Sequence, residues 1–231
     1  MRSAIIKLFL VLSSLACSLT ITARNIKISV TPGDAKIYID GNYVGDGVVT
    51  ASVRNSESFV SVKCEKPGYI TLETKIYSKD KRSAVSFTLR RDQFFDESEP
   101  SGLVNKYFTV TVSKSLYSET PDGKRNTDLA WKEIHHILLN YFDEIQTTDM
   151  ASGFIQTPWK YKTFPEAERQ VRTRVSVRES NFSGDLTFQI KISSEAGSLM
   201  ALHRDESFQK IDRILKDMEP LIGEFQTRLG K

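Results

Sequence analysis

Short runs between residues 25 and 90 alternate between apolar and polar positions. That period of two restricts the stretch to half-buried β-strands. Ile26, Ile28 and Val30 alternate with Lys27 and Ser29, and Ile37 and Ile39 with Lys36, Tyr38 and Asp40. Val60, Val62 and Cys64 alternate with Ser61, Lys63 and Glu65. Leu72, Thr74 and Ile76 alternate with Thr71, Glu73 and Lys75, and Val85, Phe87 and Leu89 with Ser86 and Thr88. Successive side chains of a strand point to opposite faces, so each run has one face for a core and one for water. Between the runs stand Pro32-Gly33-Asp34, Asp40-Gly41-Asn42, Asp46-Gly47 and Pro67-Gly68. Glycine supplies positive φ there, and Asp and Asn bond their own backbone, so these are turns. Short strands with regular turns predict a small β-sandwich over residues 24–90.

The stretch from Thr31 through Pro32, Gly33, Asp34 and Ala35 to Asp40-Gly41 and the spaced Gly45 resembles the opening of a PEGA domain. Glu65-Lys66-Pro67-Gly68-Tyr69 resembles that family's Lys-Pro-Gly-Tyr element. Val48-Val49 stand where the family usually has Thr-Pro. The resemblance implies an envelope-associated β-sandwich without catalytic residues.

Residues 91–104 crowd Asp92, Asp96, Glu97, Glu99, Pro100, Ser101 and Gly102 together, the composition of a linker. Phe94 and Phe95 interrupt it and are candidates for docking on a domain. Residues 105–231 read as an α+β domain, an antiparallel sheet with helices on one face. Phe108, Val110 and Val112 alternate as a strand. Ala130, Ile134, Ile137, Leu138, Tyr141 and Ile145 recur at helical spacing behind a cap at Asn126 or Thr127. Val171 to Val177 and Leu186 to Ile192 alternate as a hairpin around a turn at Asn181 to Asp185. Phe208, Ile211, Leu215, Met218, Ile222, Phe225 and Leu229 follow three-and-four spacing, which predicts a closing helix kinked at Pro220. This order of elements, with Trp159 and the run Arg172 to Val177, resembles the helix-grip domains of outer-membrane assembly lipoproteins. No functional residue is carried over from it.

The first 23 residues have the order of a signal peptide: basic Arg2 and Lys7, an apolar run from Leu8 to Ala16, then small and polar residues up to Ala23. The run is shorter than the roughly 20 apolar residues that span a bilayer. Cleavage after Ala23 is favoured, and lipidation of Cys17 is the alternative. Only lipidation would hold the protein to a membrane. Removing the leader takes Cys17 with it and leaves Cys64 without an internal disulfide partner, so Cys64 is expected to be buried. Removing Arg2 and Lys7 from the 32 basic residues leaves 30 against 29 acidic, a net charge of +1. A nucleic-acid binder normally carries a strong basic excess, so no nucleic-acid partner is expected.

Catalytic and metal constellations are weak. Gly41, Gly45 and Gly47 are flanked by β residues on both sides, so they are hairpin glycines rather than a phosphate loop. His135 and His136 are neighbours on a helix and point about 100° apart, so they cannot chelate one ion; His203 is the third histidine. Glu166 and Glu168 could be read as paired carboxylates, but Thr163 to Glu166 has the pattern of a capping box, and a short helical turn before the strand explains it without chemistry. Arg172, Arg174 and Arg178 share one face of their strand, with Lys191 and Gln189 on the matching face of the next. Arginine suits bidentate contacts to carboxylates and phosphates. These residues predict a non-catalytic envelope or periplasmic protein that binds a protein or glycan through Arg172, Arg174, Arg178 and Lys191, without metal or cofactor. A hydrolase or small-ligand carrier with its site in the α+β domain is the alternative, and a deep pocket with convergent polar groups would mark it.

Overall fold

The structure is a computed structural model that describes residues 23–54, 56–180, 184–200 and 204–230. The leader and Cys17 lie outside the described residues, apart from Ala23 at its end, as do His203 and residues 181–183 of the hairpin turn. The chain divides into two compact units, the first ending at Arg90 and the second beginning at Arg91.

The first unit is built of small β-sheets. Its strands are β1 (Ala23–Thr31), β2 (Lys36–Ile39), β3 (Asn42–Asp46), β4 (Val48–Arg54), β5 (Phe59–Glu65), β6 (Leu72–Tyr77) and β7 (Ala84–Thr88). One sheet has the order β4-β1-β7 and the other β3-β2-β5-β6. All pairs are antiparallel except β1–β7, which is parallel. The alternating apolar residues of both sheets meet in one core that includes Ile26, Ile28, Ile37, Val53, Val60, Val62, Cys64 and Ile76. Cys64 is fully buried, as its place on the apolar face requires, and burial pushes its thiol pKa up. Asp40 (φ 49°) and Gly41 (φ 82°) both adopt positive φ, which matches the twist of the β2–β3 hairpin. Gly47 has a second constraint: a Cβ there would lie 2.0 Å from the Gly33 carbonyl oxygen.

The second unit is a larger antiparallel sheet with few helices. Its elements are α1 (Gln93–Asp96), β8 (Ser98–Pro100), β9 (Tyr107–Thr111), a small β10 (Ser118–Glu119) and β11 (Arg125–Asn126) pair, and α2 (Asp128–Leu139). There follow β12 (Thr147–Asp149), β13 (Phe154–Gln156), β14 (Lys160–Phe164), β15 (Arg169–Glu179), β16 (Thr187–Ser198), β17 (Phe208–Lys210), β18 (Arg213–Leu215) and α3 (Pro220–Glu224). The main sheet runs β12-β13-β15-β16-β17, with β14 also on β15 and β9 also on β16. Its backbone is the long β15–β16 hairpin, in which Val175 faces Ile192 and Arg172 faces Glu195. Val171, Val175 and Val177 join Phe188, Ile190 and Ile192 in the core, with Trp131, Ile134 and Leu138 of α2. The Trp131 ring meets Phe188 edge to face, with centroids 4.9 Å apart. Of the two cap candidates, Asn126 supplies the bond: its side-chain oxygen accepts from the Asp128 N–H at 3.0 Å. Thr127 makes no capping bond.

Three expectations need correction. Residues 91–104 are not a non-packing linker. Asp92 accepts from the Phe94 N–H and starts α1, Phe94 and Val104 enter the core, and β8 pairs with β18. Two apolar anchors and a strand partner outweigh the polar composition. Second, residues 208–215 are not helical, because Phe208 lies in β17 and Ile214 and Leu215 in β18. Pro220 does not kink a helix but opens one. It has no N–H to bond, and the first turn needs none. Third, Pro165 to Ala167 form a single 3₁₀ turn without a side-chain cap, so the Thr163–Glu166 capping box is absent.

Candidate functional site

The pleat of the β15–β16 hairpin sorts its side chains. With Val171, Val175 and Val177 inward, Arg172, Arg174, Ser176 and Arg178 point to the opposite face. On β16, Gln189, Lys191, Ser193 and Glu195 join them, since register sets Arg172 opposite Glu195, Arg174 opposite Ser193, Ser176 opposite Lys191 and Arg178 opposite Gln189. Tyr107 of β9 lies opposite Lys191 on the same face.

The four expected binding residues are therefore together on one face, but they are not equivalent. Arg172 is only 2% exposed. Its Nε and Nη2 donate to Glu195 Oε2 at 2.9 and 2.7 Å, and its Nη1 donates to Asp205 Oδ1 at 2.7 Å. Its guanidinium carbon lies 4.1 Å from the ring centres of both Trp159 and Phe208. Burial opposes its charge, but the bonds to Glu195, Asp205 and Tyr161 outweigh that and raise its pKa. The expectation of Arg172 as an open contact is thus corrected: its guanidinium is buried and already bonded to two carboxylates of the same unit.

The other three remain available. Arg174 sits 4.3 Å over the Trp159 ring, and its Nε is buried without a hydrogen-bond partner. Arg178 is exposed, donates through Nε and Nη2 to Gln189 Oε1, and lies 4.2 Å over the Tyr107 ring. Lys191 lies 5.6 Å over the same ring. Among the described residues, none of the three has an ion-pair partner within 4.0 Å. Arg178 is four positions beyond Arg174, which corresponds to about 13 Å along the strand. Lys191 stands beside the midpoint. Such a triangle of cations, backed by Trp159 and by the 47%-exposed Tyr107, can take carboxylate or phosphate oxygens with rings alongside.

Tyr107, Trp159, Glu195 and Asp205 were not picked out as members of this site. Tyr107 had a signal, because Phe108, Val110 and Val112 inward put it outward. His135 Nδ1 is 2.8 Å from the Trp131 carbonyl oxygen, and His136 is exposed. Among the described residues, no three His, Cys, Asp or Glu side chains group as metal ligands.

Residues 23–93 match the family model of the PEGA domain. This segment is a PEGA domain. The two motifs that carried the resemblance meet in the fold: Lys66 Nζ lies 2.5 Å from Asp34 Oδ1 and 5.5 Å over the Tyr69 ring. That bond lowers the pKa of Asp34. Within the PEGA domain, Ala35 is fully buried and its carbonyl accepts from the Gly47 N–H at 2.9 Å, which joins the opening motif to the spaced glycines. No curated protein and no solved structure matches the chain.

Proposed function

We propose that this chain is an exported, non-catalytic binding or scaffolding protein of the cell envelope or periplasm. Its second unit offers the cationic sheet face to an acidic protein or glycan. In this reading the PEGA domain is a β-sandwich, with two small sheets closed on one core. The helices of the second unit cover the core face of the large sheet, and the opposite face is left for a partner. The observation that carries the reading is the contrast between Arg172, neutralised by Glu195 and Asp205, and the trio Arg174, Arg178 and Lys191, which has no ion pair among the described residues. Cations left without internal carboxylates, but held by rings, are arranged for an external anion.

The leader order of residues 1–23 supports export, with removal after Ala23 favoured over lipidation at Cys17. The test combines both parts of the reading. Tagged protein is recovered from envelope extracts, its N-terminus is read by mass spectrometry, and its bound partners are compared with those of the Arg174→Glu, Arg178→Glu double variant. A mature start at Arg24 and loss of a partner that salt also elutes are expected. Retention of Met1 rejects export, and unchanged recovery with both arginines reversed rejects this face.

A further inference from the structure

The outward face of the β3-β2-β5-β6 sheet in the PEGA domain carries a second constellation, unrelated to the cationic face. Two aromatic pairs stand at its ends. Tyr38 and Tyr43 meet edge to face with centroids 5.7 Å apart, and Phe59 and Tyr77 do so at 5.8 Å. Tyr43 and Tyr77 are 55% and 54% exposed. Register places Tyr38 opposite Lys63 and Phe59 opposite Tyr77, so the pairs are four residues apart along β5, about 13 Å. Along the Ser61–Lys63 stretch of β5, which separates the two pairs, lies a shallow depression of about 490 Å³, lined by Gly41, Ser61, Val62, Lys63, Glu73, Thr74 and Lys75. The rings are preset: the Tyr43 hydroxyl donates to Asp46 Oδ1 at 3.1 Å, and that of Tyr38 is hydrogen-bonded to Glu65.

We propose that this face is a binding site for an uncharged polysaccharide, with sugar rings stacked on the two aromatic pairs and hydroxyls bonded in the depression between them. Three observations select that occupant. A protein interface is centred on large apolar side chains inside a polar rim, whereas here the rings stand at the ends and the middle is formed by the stems and polar tips of Ser61, Lys63, Glu73 and Lys75. A polyanion is disfavoured by Glu65 and Glu73; Lys63 lies 2.6 Å from Glu65 and opposite Glu73. Lys75 is drawn over the Phe59 ring at 4.1 Å. What remains is a mixed set of donors and acceptors, with Lys63 and Glu65 paired, between apolar ring surfaces. A sugar chain, with apolar C–H faces and hydroxyl edges, complements both.

The full chain is run by affinity electrophoresis in gels containing hydroxyethyl cellulose, glycol chitin or dextran, and titrated calorimetrically with chitohexaose and cellohexaose. Saturable binding to at least one of these is expected, persisting in about 0.5 M salt, where the Debye length falls to about 4 Å and exposed charge pairs are largely screened. Tyr43→Ala and Tyr77→Leu should each weaken it by about tenfold, since a ring contact is worth roughly one power of ten in affinity. Both variants should stay folded and lose no more stability than one edge-to-face ring contact at a half-exposed site provides. The Arg174→Glu, Arg178→Glu variant should bind sugar unchanged, which separates this site from the cationic face. Failure of the wild-type chain to bind any of the five probes overturns the proposal. So does binding that survives both aromatic substitutions, or binding that salt abolishes.

Discussion

Arg172 and Trp159 stack with the guanidinium carbon 4.1 Å from the ring centre, and the same arginine reaches Phe208 at an equal distance. A cation between two rings, bonded to Glu195 beneath and Asp205 at the rim, is a structural rivet. Arg172→Ala should destabilise the second unit by about 3 kcal/mol, because breaking a buried pair strands its partner carboxylate. Arg174→Ala, which removes one ring contact and no ion pair, should cost about 1 kcal/mol. Urea melts of the two variants check the ranking, and equal losses would contradict it.

The same pair shows where the sequence stops being informative. Alternation fixed which hairpin residues share a face, since Val171, Val175 and Val177 can only be inward together. It did not fix what each arginine touches. Arg172 meets Glu195 only in one register, and a slip of one residue would exchange that partner. Asp205, Trp159 and Phe208 come from segments whose place on the sheet no local pattern encodes. The PEGA strands were largely legible because period two and glycine turns agree there. Residues 208–229 misled because apolar positions three and four apart also suit a short strand, a turn and a second short strand. In residues 91–104 the docking of Phe94 was legible, but the acidic composition around it concealed that the whole segment packs, with Val104 in the core and β8 paired with β18.

Cys64 should label slowly. It is fully buried between the sheets of the PEGA domain, and burial also disfavours the reactive thiolate. A disulfide reagent should react slowly with the native chain and fast in denaturant. Fast native reaction would mean that β5 is out of register. Cys64→Ser should be less stable than Cys64→Ala, because the hydroxyl would be buried among Val62, Ile37 and their neighbours without an assured partner.

Glu179 introduces a pH dependence of definite sign. Burial pushes its carboxyl above the ordinary 4.5, and Arg125 at 3.8 Å offsets this only in part. The folded state therefore favours the protonated form. Its stabilising contribution is fully present below about pH 4.5 and is lost as pH rises through the elevated folded value. Glu179→Gln cannot ionise, so the variant should gain on the wild type in paired urea melts as pH rises from about 4.5 through the elevated folded value, and the gain should then level off. Other carboxylates, such as Glu224, whose bond to Tyr141 lowers its pKa, act in the opposite sense in both proteins and cancel in the comparison. A difference that stays constant with pH would show that Glu179 titrates normally.

Val175 and the exposed arginines occupy opposite faces of one strand, and that separation allows stability and binding to be tested apart. Val175 is fully buried against the core and lies opposite Ile192. Val175→Asp would bury a carboxylate with no cation beside it, and its cost should exceed about 4 kcal/mol, enough to unfold the second unit. Arg174→Glu with Arg178→Glu changes side chains that lie outside the core. Arg178 is exposed, so its replacement should alter stability by less than about 0.5 kcal/mol; Arg174 should add about 1 kcal/mol for its lost contact with Trp159. Circular dichroism melts should then show a double variant that is folded and slightly less stable, beside a Val175→Asp chain that has lost the cooperative unfolding signal of its second unit. A folded Val175→Asp protein would overturn the inward assignment of Val175. A double variant that unfolds would mean that Arg174 and Arg178 are held as tightly as Arg172, and the cationic face would then be structural.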